Sequence, residues 1–230
     1  MFATKYRLLG SFSILVFLLA ACATDTPQEK AADRESLQGV VDGAAETVTA
    51  FRTGANAAAV NAALADARGV LVYPKITRAA LLGGGSGGFG VLVGRSATGV
   101  WSSPAFMSYG GATFGLQAGV DTASVMAVIE TEETLKALAE GKPVFGGSAN
   151  VVVGDSATEQ PIKMTGADVI VFTRSLAGAY AGINLGSGVV DPANDRNANY
   201  FGQPATATQI VIDHAVSSPD AKVLKQALAK

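Results

Sequence analysis

From Val70 to Val153 the chain repeats one pattern, a short apolar run followed by glycine. Val70-Leu71-Val72-Tyr73, Phe89-Gly90-Val91-Leu92-Val93, Thr113-Phe114-Gly115-Leu116, Val125-Met126-Ala127-Val128-Ile129 and Asn150-Val151-Val152-Val153 have the length and the β-branched or aromatic content of strands. Their close spacing points to antiparallel pairing, because parallel neighbours need a long crossover between them. Glycines inside the runs mark bulges, sharp coiling or close approach of another backbone. The expected core is a strongly twisted, largely antiparallel, Gly-rich β-sheet or a barrel-like arrangement.

Helices flank this core, which makes the fold class α+β. Leu37, Val40, Val41, Ala44, Val48 and Phe51 fall on one helical stripe, with Glu35, Asp42 and Glu46 opposite. That polar side is acidic, unlike the basic face of helices that lie on anionic membranes, so the helix is expected to pack on the domain. A second helix is predicted from the N-cap Asn56 to Arg68, stopped by Gly69 and facing inward through Val60, Leu64 and Ala67. Thr131 can cap a short helix carrying Leu135 and Leu138, ended by Gly141 and Pro143. Further strands are predicted at Val169–Phe172 and Ala179–Leu185, then a polar loop from Asp191 to Asn199, and Ile210-Val211-Ile212 reads as strand. A terminal helix follows, capped by Ser218 with Pro219 in its first turn and with Val223, Leu224, Ala227 and Leu228 as its apolar stripe. No repeat of fixed period suggests a solenoid or propeller, and residues 34–230 suffice for one domain.

The N-terminal residues read as an export signal. Lys5 and Arg7 precede an apolar run from Leu8 to Ala20 that is too short to cross a bilayer. Leu19-Ala20-Ala21-Cys22 resembles the lipobox of bacterial lipoproteins, which makes residues 1–21 a lipoprotein signal peptide and Cys22 the acylated residue, carrying chains such as palmitate. Cys22 is the sole cysteine, so no intramolecular disulfide competes for its thiol. Residues 22–33, polar and Pro-containing, read as a flexible tether. Ala23 is not the aspartate that resembles an inner-membrane retention signal, so the expected location is the outer membrane, facing the periplasm. Removal of residues 1–21 takes away two basic side chains and no acidic ones, moving the formal net charge from −2 to −4. A balance of this sign, without a dense basic stripe, argues against nucleic acid as a partner.

Motifs that look catalytic fail on context. Gly83, Gly85 and Gly88 fit a dinucleotide-binding spacing, but Val91-Leu92-Val93 reads as strand where a helix must begin, and no lysine follows to make a phosphate loop. Gly84-x-Ser86-x-Gly88 matches a hydrolase nucleophile elbow, with the lone His214 downstream, and again lacks the helix. Asp191, Asp195, Asn197 and Asn199 offer oxygen ligands for a hard cation without the glycine and terminal glutamate of an EF-hand. A loop whose side chains bond their own backbone explains them better. No catalytic residue, cofactor or metal is implied.

Several separated signatures resemble the lipid-binding SYLF domain family, from about Ser36 onward. They are Ala67-Arg68-Gly69-Val70-Leu71-Val72-Tyr73-Pro74, the Gly83–Val93 stretch, Trp101-Ser102-Ser103-Pro104 and Gly115-Leu116-Gln117-Ala118-Gly119. Gly141-Lys142 with Phe145-Gly146, Gly178-Ala179-Tyr180-Ala181-Gly182 and Asn199-Tyr200-Phe201-Gly202 follow in order. The resemblance implies a non-enzymatic phospholipid-binding domain, here in a membrane-anchored lipoprotein. A structural or protein-interaction module of the envelope is the alternative. Tyr73, Lys75, Arg78, Arg95, Trp101 and Lys142 are the candidate lipid contacts, because amphipathic aromatics and cations suit an interface. One departure bears on anionic headgroups: where members often have Tyr-Ser-Arg-Ser-Lys-Gly, this chain has Phe172-Thr173-Arg174-Ser175-Leu176-Ala177-Gly178, without the lysine. Actin binding, known for some eukaryotic members, is not implied for an exported bacterial lipoprotein.

Overall fold

A computed structural model describes residues 27–80, 83–114, 119–155, 166–177, 185 and 188–229. The signal peptide, Cys22, residues 115–118 of one family signature and the Gly178–Gly182 signature lie outside the described residues, as does the strand expected at Ala179–Leu185 apart from Leu185.

Helix α1 runs from Pro27 to Thr53 and α2 from Ala57 to Asp66. The expected stripe of α1 is buried at Leu37, Val41, Ala44, Val48 and Phe51, with Val40 half-buried. Residues 27–33, read as tether, are instead the first turns of this helix. Pro27 suits that position, because the first N–H groups of a helix have no internal acceptor.

Seven strands follow among the described residues: β1 (Gly69–Ala80), β2 (Gly83–Gly94), β3 (Ala105–Phe114), β4 (Gly119–Ile129), β5 (Val151–Asp155), β6 (Val169–Ala177) and β7 (Gly188–Pro192). They form one sheet in the order β5-β6-β4-β1-β2-β3-β7, antiparallel at every pairing except β5 with β6. Among the described residues the sheet is open, with β5 and β7 as its edges, so the barrel-like alternative is corrected.

Alternation along the strands divides the core in two. On one face Val70, Val72, Val91, Phe106, Met126 and Phe172 pack under α1 and α2, together with Tyr200 of α4 (Asn194–Phe201) and Leu224 of α6 (Lys222–Ala229). On the other, Leu71, Tyr73, Leu92, Met107, Val125 and Val171 receive Leu135 and Leu138 of α3 (Glu132–Ala139) and Ile210 and Val211 of α5 (Ala207–Val211). Registers slip at Pro74, where β1 bulges against both β2 and β4. Proline cannot donate to a ladder, so the bulge falls where that loss does least harm. Gly43 of α1 closes on Pro74, and a Cβ there would stand 3.2 Å from the proline Cβ.

Three local expectations are corrected. The polar segment 191–199 is the end of β7 and most of α4, and Asn197 is fully buried with its Oδ1 accepting from Phe106 N at 2.7 Å. That amide serves the strand backbone, which excludes it from a solvent-facing cation loop. Ile210-Val211-Ile212 is not a strand: a capping box between Thr206 and Gln209 starts α5 there. Val223 is 54% exposed, so the inward stripe of α6 is Leu224, Ala227 and Leu228. The caps at Thr131 and Ser218 are as expected, with Thr131 Oγ1 accepting from Thr134 N and Ser218 Oγ from Asp220 N.

Candidate functional site

The six candidate contacts do not converge. Tyr73 is fully buried under β3, donating its hydroxyl to Ser108 O at 3.3 Å and meeting Tyr109 edge-on at 5.9 Å. Arg78 is held against its cross-strand partner Asp121 at 2.7 Å, both side chains largely covered. Lys142 is exposed just past α3 and pairs with Glu140. Lys75 is exposed at the β1 bulge.

Only Arg95 and Trp101 come together. They pair as a short antiparallel bridge across the β2–β3 turn, and the Arg95 guanidinium lies 5.4 Å from the Trp101 ring centroid. Trp101 is buried, so it is a wall rather than an interfacial anchor. That wall bounds a cleft of about 680 Å³ between the C-terminal turns of α1, α2 and α6. Arg52 lines it as well, donating through Nη1 to Ala227 O at 3.2 Å and Leu228 O at 2.9 Å. Arg95 donates through Nη1 to Ala65 O at 2.9 Å and through Nε to Gly99 O at 3.4 Å. Both arginines thus satisfy carbonyls at helix C-termini, where cations are favoured.

A second surface escaped the sequence reading. Past the bulge, the face that packs under α1 continues with no helix packed on it among the described residues. Two cross-strand rows occupy it: Val120, Ala79, Gly85 and Ala112 across β4, β1, β2 and β3, then Thr122, Thr77, Gly87, Gly110 and Val189, which reaches β7. Ala79, Gly85, Gly87, Gly110 and Ala112 are exposed, Val120 is 64% exposed and Val189 61%. No residue in either row carries charge. Lys75 and Arg174 stand exposed on the same face where the helical layer ends.

Residues 110–230, just over half of the chain, match the family model described as Ysc84: Las17-binding protein actin regulator. The chain belongs to the Ysc84 family. This agrees with the SYLF resemblance carried by its sequence signatures. LAS seventeen-binding protein 3 of Saccharomyces cerevisiae is 28% identical over 153 residues, which cover 64% of this chain and 33% of the yeast protein. Protein YSC84 of the same organism is 27% identical over 170 residues, covering 72% of this chain and 36% of that protein. The SH3 domain-containing YSC84-like protein 1 of Xenopus laevis is 26% identical over 170 residues, covering 72% and 50%. The chain therefore spans a third to a half of the length of these relatives.

In this Ysc84-family chain the hydrolase-like motif has no elbow. Ser86 sits inside β2, its Oγ 3.5 Å from Tyr109 Oη and from Gly111 O, and the strand continues to Gly94 where a helix would be required. His214 adopts φ 51°, and burial, aided by the Lys225 charge, holds its imidazole below the ordinary histidine value. Burial pushes the Tyr73 phenol well above its usual range, reinforced by Tyr109 and Asp191. Burial likewise raises the Glu130 carboxyl, with Asp66 and Asp168 adding repulsion. Among the described residues no group of three histidine, cysteine or carboxylate side chains is placed to hold a metal ion, and no helix is long and apolar enough to cross a membrane.

Proposed function

We propose that this Ysc84-family chain is a non-enzymatic phospholipid-contacting module, held at a bacterial outer membrane by acylation of Cys22, and that the uncovered half of its sheet meets the bilayer. The observation that carries the reading is the pair of neutral cross-strand rows, bordered by Lys75 and Arg174. An exposed, uncharged face that carries valines and alanines with no helix on it among the described residues suits an interaction site. Small side chains let a sheet face approach an acyl–headgroup boundary closely, and the two cations at its border suit the phosphate level. The lipobox-like Leu19-Ala20-Ala21-Cys22 supports the anchor, and several acyl chains would hold the domain beside the bilayer at high effective concentration.

Vesicle flotation tests the contact. Protein made without residues 1–21 and with Cys22→Ala is mixed with phosphatidylethanolamine–phosphatidylglycerol vesicles and centrifuged through a density gradient. Co-flotation is expected, and protein left at the bottom with every phospholipid mixture overturns the reading. Intact mass of cell-derived protein tests the anchor separately, since an unacylated N-terminus removes it.

A second reading is a protein-interaction module of the envelope. The names of the yeast relatives favour it, because LAS seventeen-binding protein 3 is named for a protein partner. In-cell crosslinking that repeatedly captures one envelope protein, with failed flotation, would select this reading.

A further inference from the structure

We infer that β7 is a pairing edge for a second copy of this chain, joined antiparallel about a two-fold axis at Val189. This goes beyond the proposed bilayer contact and does not depend on it.

Backbone bonding decides which groups of β7 are free. Ala193 N donates to Phe106 O at 2.9 Å, and the register sets Ser108 opposite Asp191 and Gly110 opposite Val189. Bonded pairs alternate along an antiparallel ladder, so Asp191 and Val189 turn their N–H and C=O groups toward β3. Gly188 and Val190 turn theirs outward, where among the described residues no strand or loop backbone takes them. Pro192, against which Gly141 closes, has no N–H and ends the row of donors. Natural sheet edges are commonly protected by lysine, inward charge or a bulge. β7 has neither lysine nor bulge, and its one charged side chain is Asp191.

These outward groups select one register. With Val189 opposite Val189 of the second copy, each Gly188 exchanges bonds with the second copy's Val190, and every outward group of the two residues is satisfied. Centring the pair on Val190 instead would set Gly188 against Pro192, which has no N–H to give. Val189 then forms a non-hydrogen-bonded pair, the kind in which side chains stand closest. Covering this 61% exposed valine supplies the apolar contact, and the two Asp191 carboxylates fall on opposite sides of the axis. A two-fold normal to the sheet keeps both uncovered faces on one side, so the neutral row Thr122, Thr77, Gly87, Gly110 and Val189 runs on into the second copy. An unrelated extended peptide could reach the same backbone groups but would gain neither the Val189 pair nor that continuation. Pairing of so short a strand is small beside a standard interface of about 1,600 Å². The dimer is therefore weak in dilute solution and favoured where copies are held close together.

Disulfide trapping reads a weak dimer of this geometry, because the Cα atoms of a non-hydrogen-bonded pair lie about 4.5 Å apart, within disulfide reach. Val189→Cys, Asp191→Cys and Val223→Cys, all at exposed positions, are placed singly in the Cys22→Ala protein used for flotation and oxidised with copper–phenanthroline. Asp191→Cys faces a different residue of the second copy in this register, and Val223→Cys reports random collision. Val189→Cys is expected to form dimers at least tenfold faster than either control, since only its thiols are held at bonding distance. Equal rates at the three positions, or no dimer with Val189→Cys, would overturn the inference. Mixed disulfides formed in cell extract chiefly with one other protein would give the edge a different occupant and overturn self-pairing as well. Protein with Val189 intact supplies a check by amide hydrogen exchange: Gly188 and Val190 should gain protection as concentration rises, with the Val100 amide unchanged. Protection at Gly188 and Val190 that does not vary with concentration would refute the pairing. A trapped dimer that fails to float removes the bilayer contact alone, and a monomer that floats removes the pairing alone.

Discussion

Gly90 of β2 lies directly against the ring of Tyr73 on the neighbouring strand: a Cβ at Gly90 would stand 2.6 Å from Tyr73 Cδ1 and would run into Val72 O. The central strand pair therefore closes only because position 90 has no side chain. Neither obstacle yields easily, since one is backbone and the other a fully buried ring with its hydroxyl bonded to Ser108 O. Gly90→Ala is expected to destabilise the domain by about 3 kcal/mol, at the upper end for overpacking a core. Urea unfolding followed by circular dichroism measures it, and a loss under about 1 kcal/mol would show that the sheet can spread.

Asn197 ties three elements together. Its Oδ1 accepts from Phe106 N, its Nδ2 donates to Asn194 Oδ1 at 3.4 Å, and that oxygen also accepts from Ala207 N at 3.3 Å. The side chain is fully buried, so truncation leaves the Phe106 N–H without water to replace the lost acceptor. Asn197→Ala should cost on the order of 1–3 kcal/mol, while Asn194→Ala, at an exposed position, should cost less. Equal losses in the two variants would contradict this ranking.

The same residue shows where sequence reading stops. Strands β1, β2 and β4 were legible where continuous apolar, β-branched runs agree with burial on both faces, at Val70–Tyr73, Val91–Val93 and Val125–Ile129, and α3 was legible from its cap and two leucines. Helix α4 was hidden because Asn194, Asp195, Asn197 and Asn199 have turn propensity, and only the partner strand reveals that Asn197 is an internal hydrogen-bonding group. Helix α5 was hidden by the β-branched run Ile210-Val211-Ile212, although Thr206-x-x-Gln209 was a readable start signal. For the site, residue type suggested Tyr73 and Trp101 as interfacial aromatics, and burial reassigned both. Arg52 was missed because its role comes from Ala227 and Leu228, far along the chain. The uncovered rows were missed because glycine, alanine and threonine carry almost no amphipathic signal until register sets them side by side.

Glu130 gives the fold a pH dependence of definite sign. Burial, with repulsion from Asp66 and Asp168, raises its folded-state pKa above the ordinary value of 4.5. The folded state then binds more protons than the unfolded state between those two values, so this group's contribution is full below the ordinary pKa and is lost as pH rises through the raised one. Glu130→Gln should therefore raise the thermal midpoint at pH 7 and lose that advantage below about pH 4. Thermal scans of both proteins at the two pH values check it, and an advantage that grows on acidification would reverse the assignment.

The uncovered sheet face makes the sharpest demand on the proposed membrane contact. Val120 and Val189 belong to different rows, on β4 and β7, and both are mostly exposed, so exchanging them disturbs little of the folded core. If the face enters the headgroup boundary, each valine contributes up to about 1.5 kcal/mol of transfer free energy, and an aspartate in its place adds an unfavourable charge. Val120→Asp with Val189→Asp should therefore lower vesicle partitioning of the unacylated protein at least tenfold while moving its unfolding midpoint little. Exchange of Val223, also mostly exposed but on α6 and outside these two rows, should leave partitioning unchanged. Loss of flotation with Val223→Asp alone would mean that general charge, rather than this surface, governs attachment.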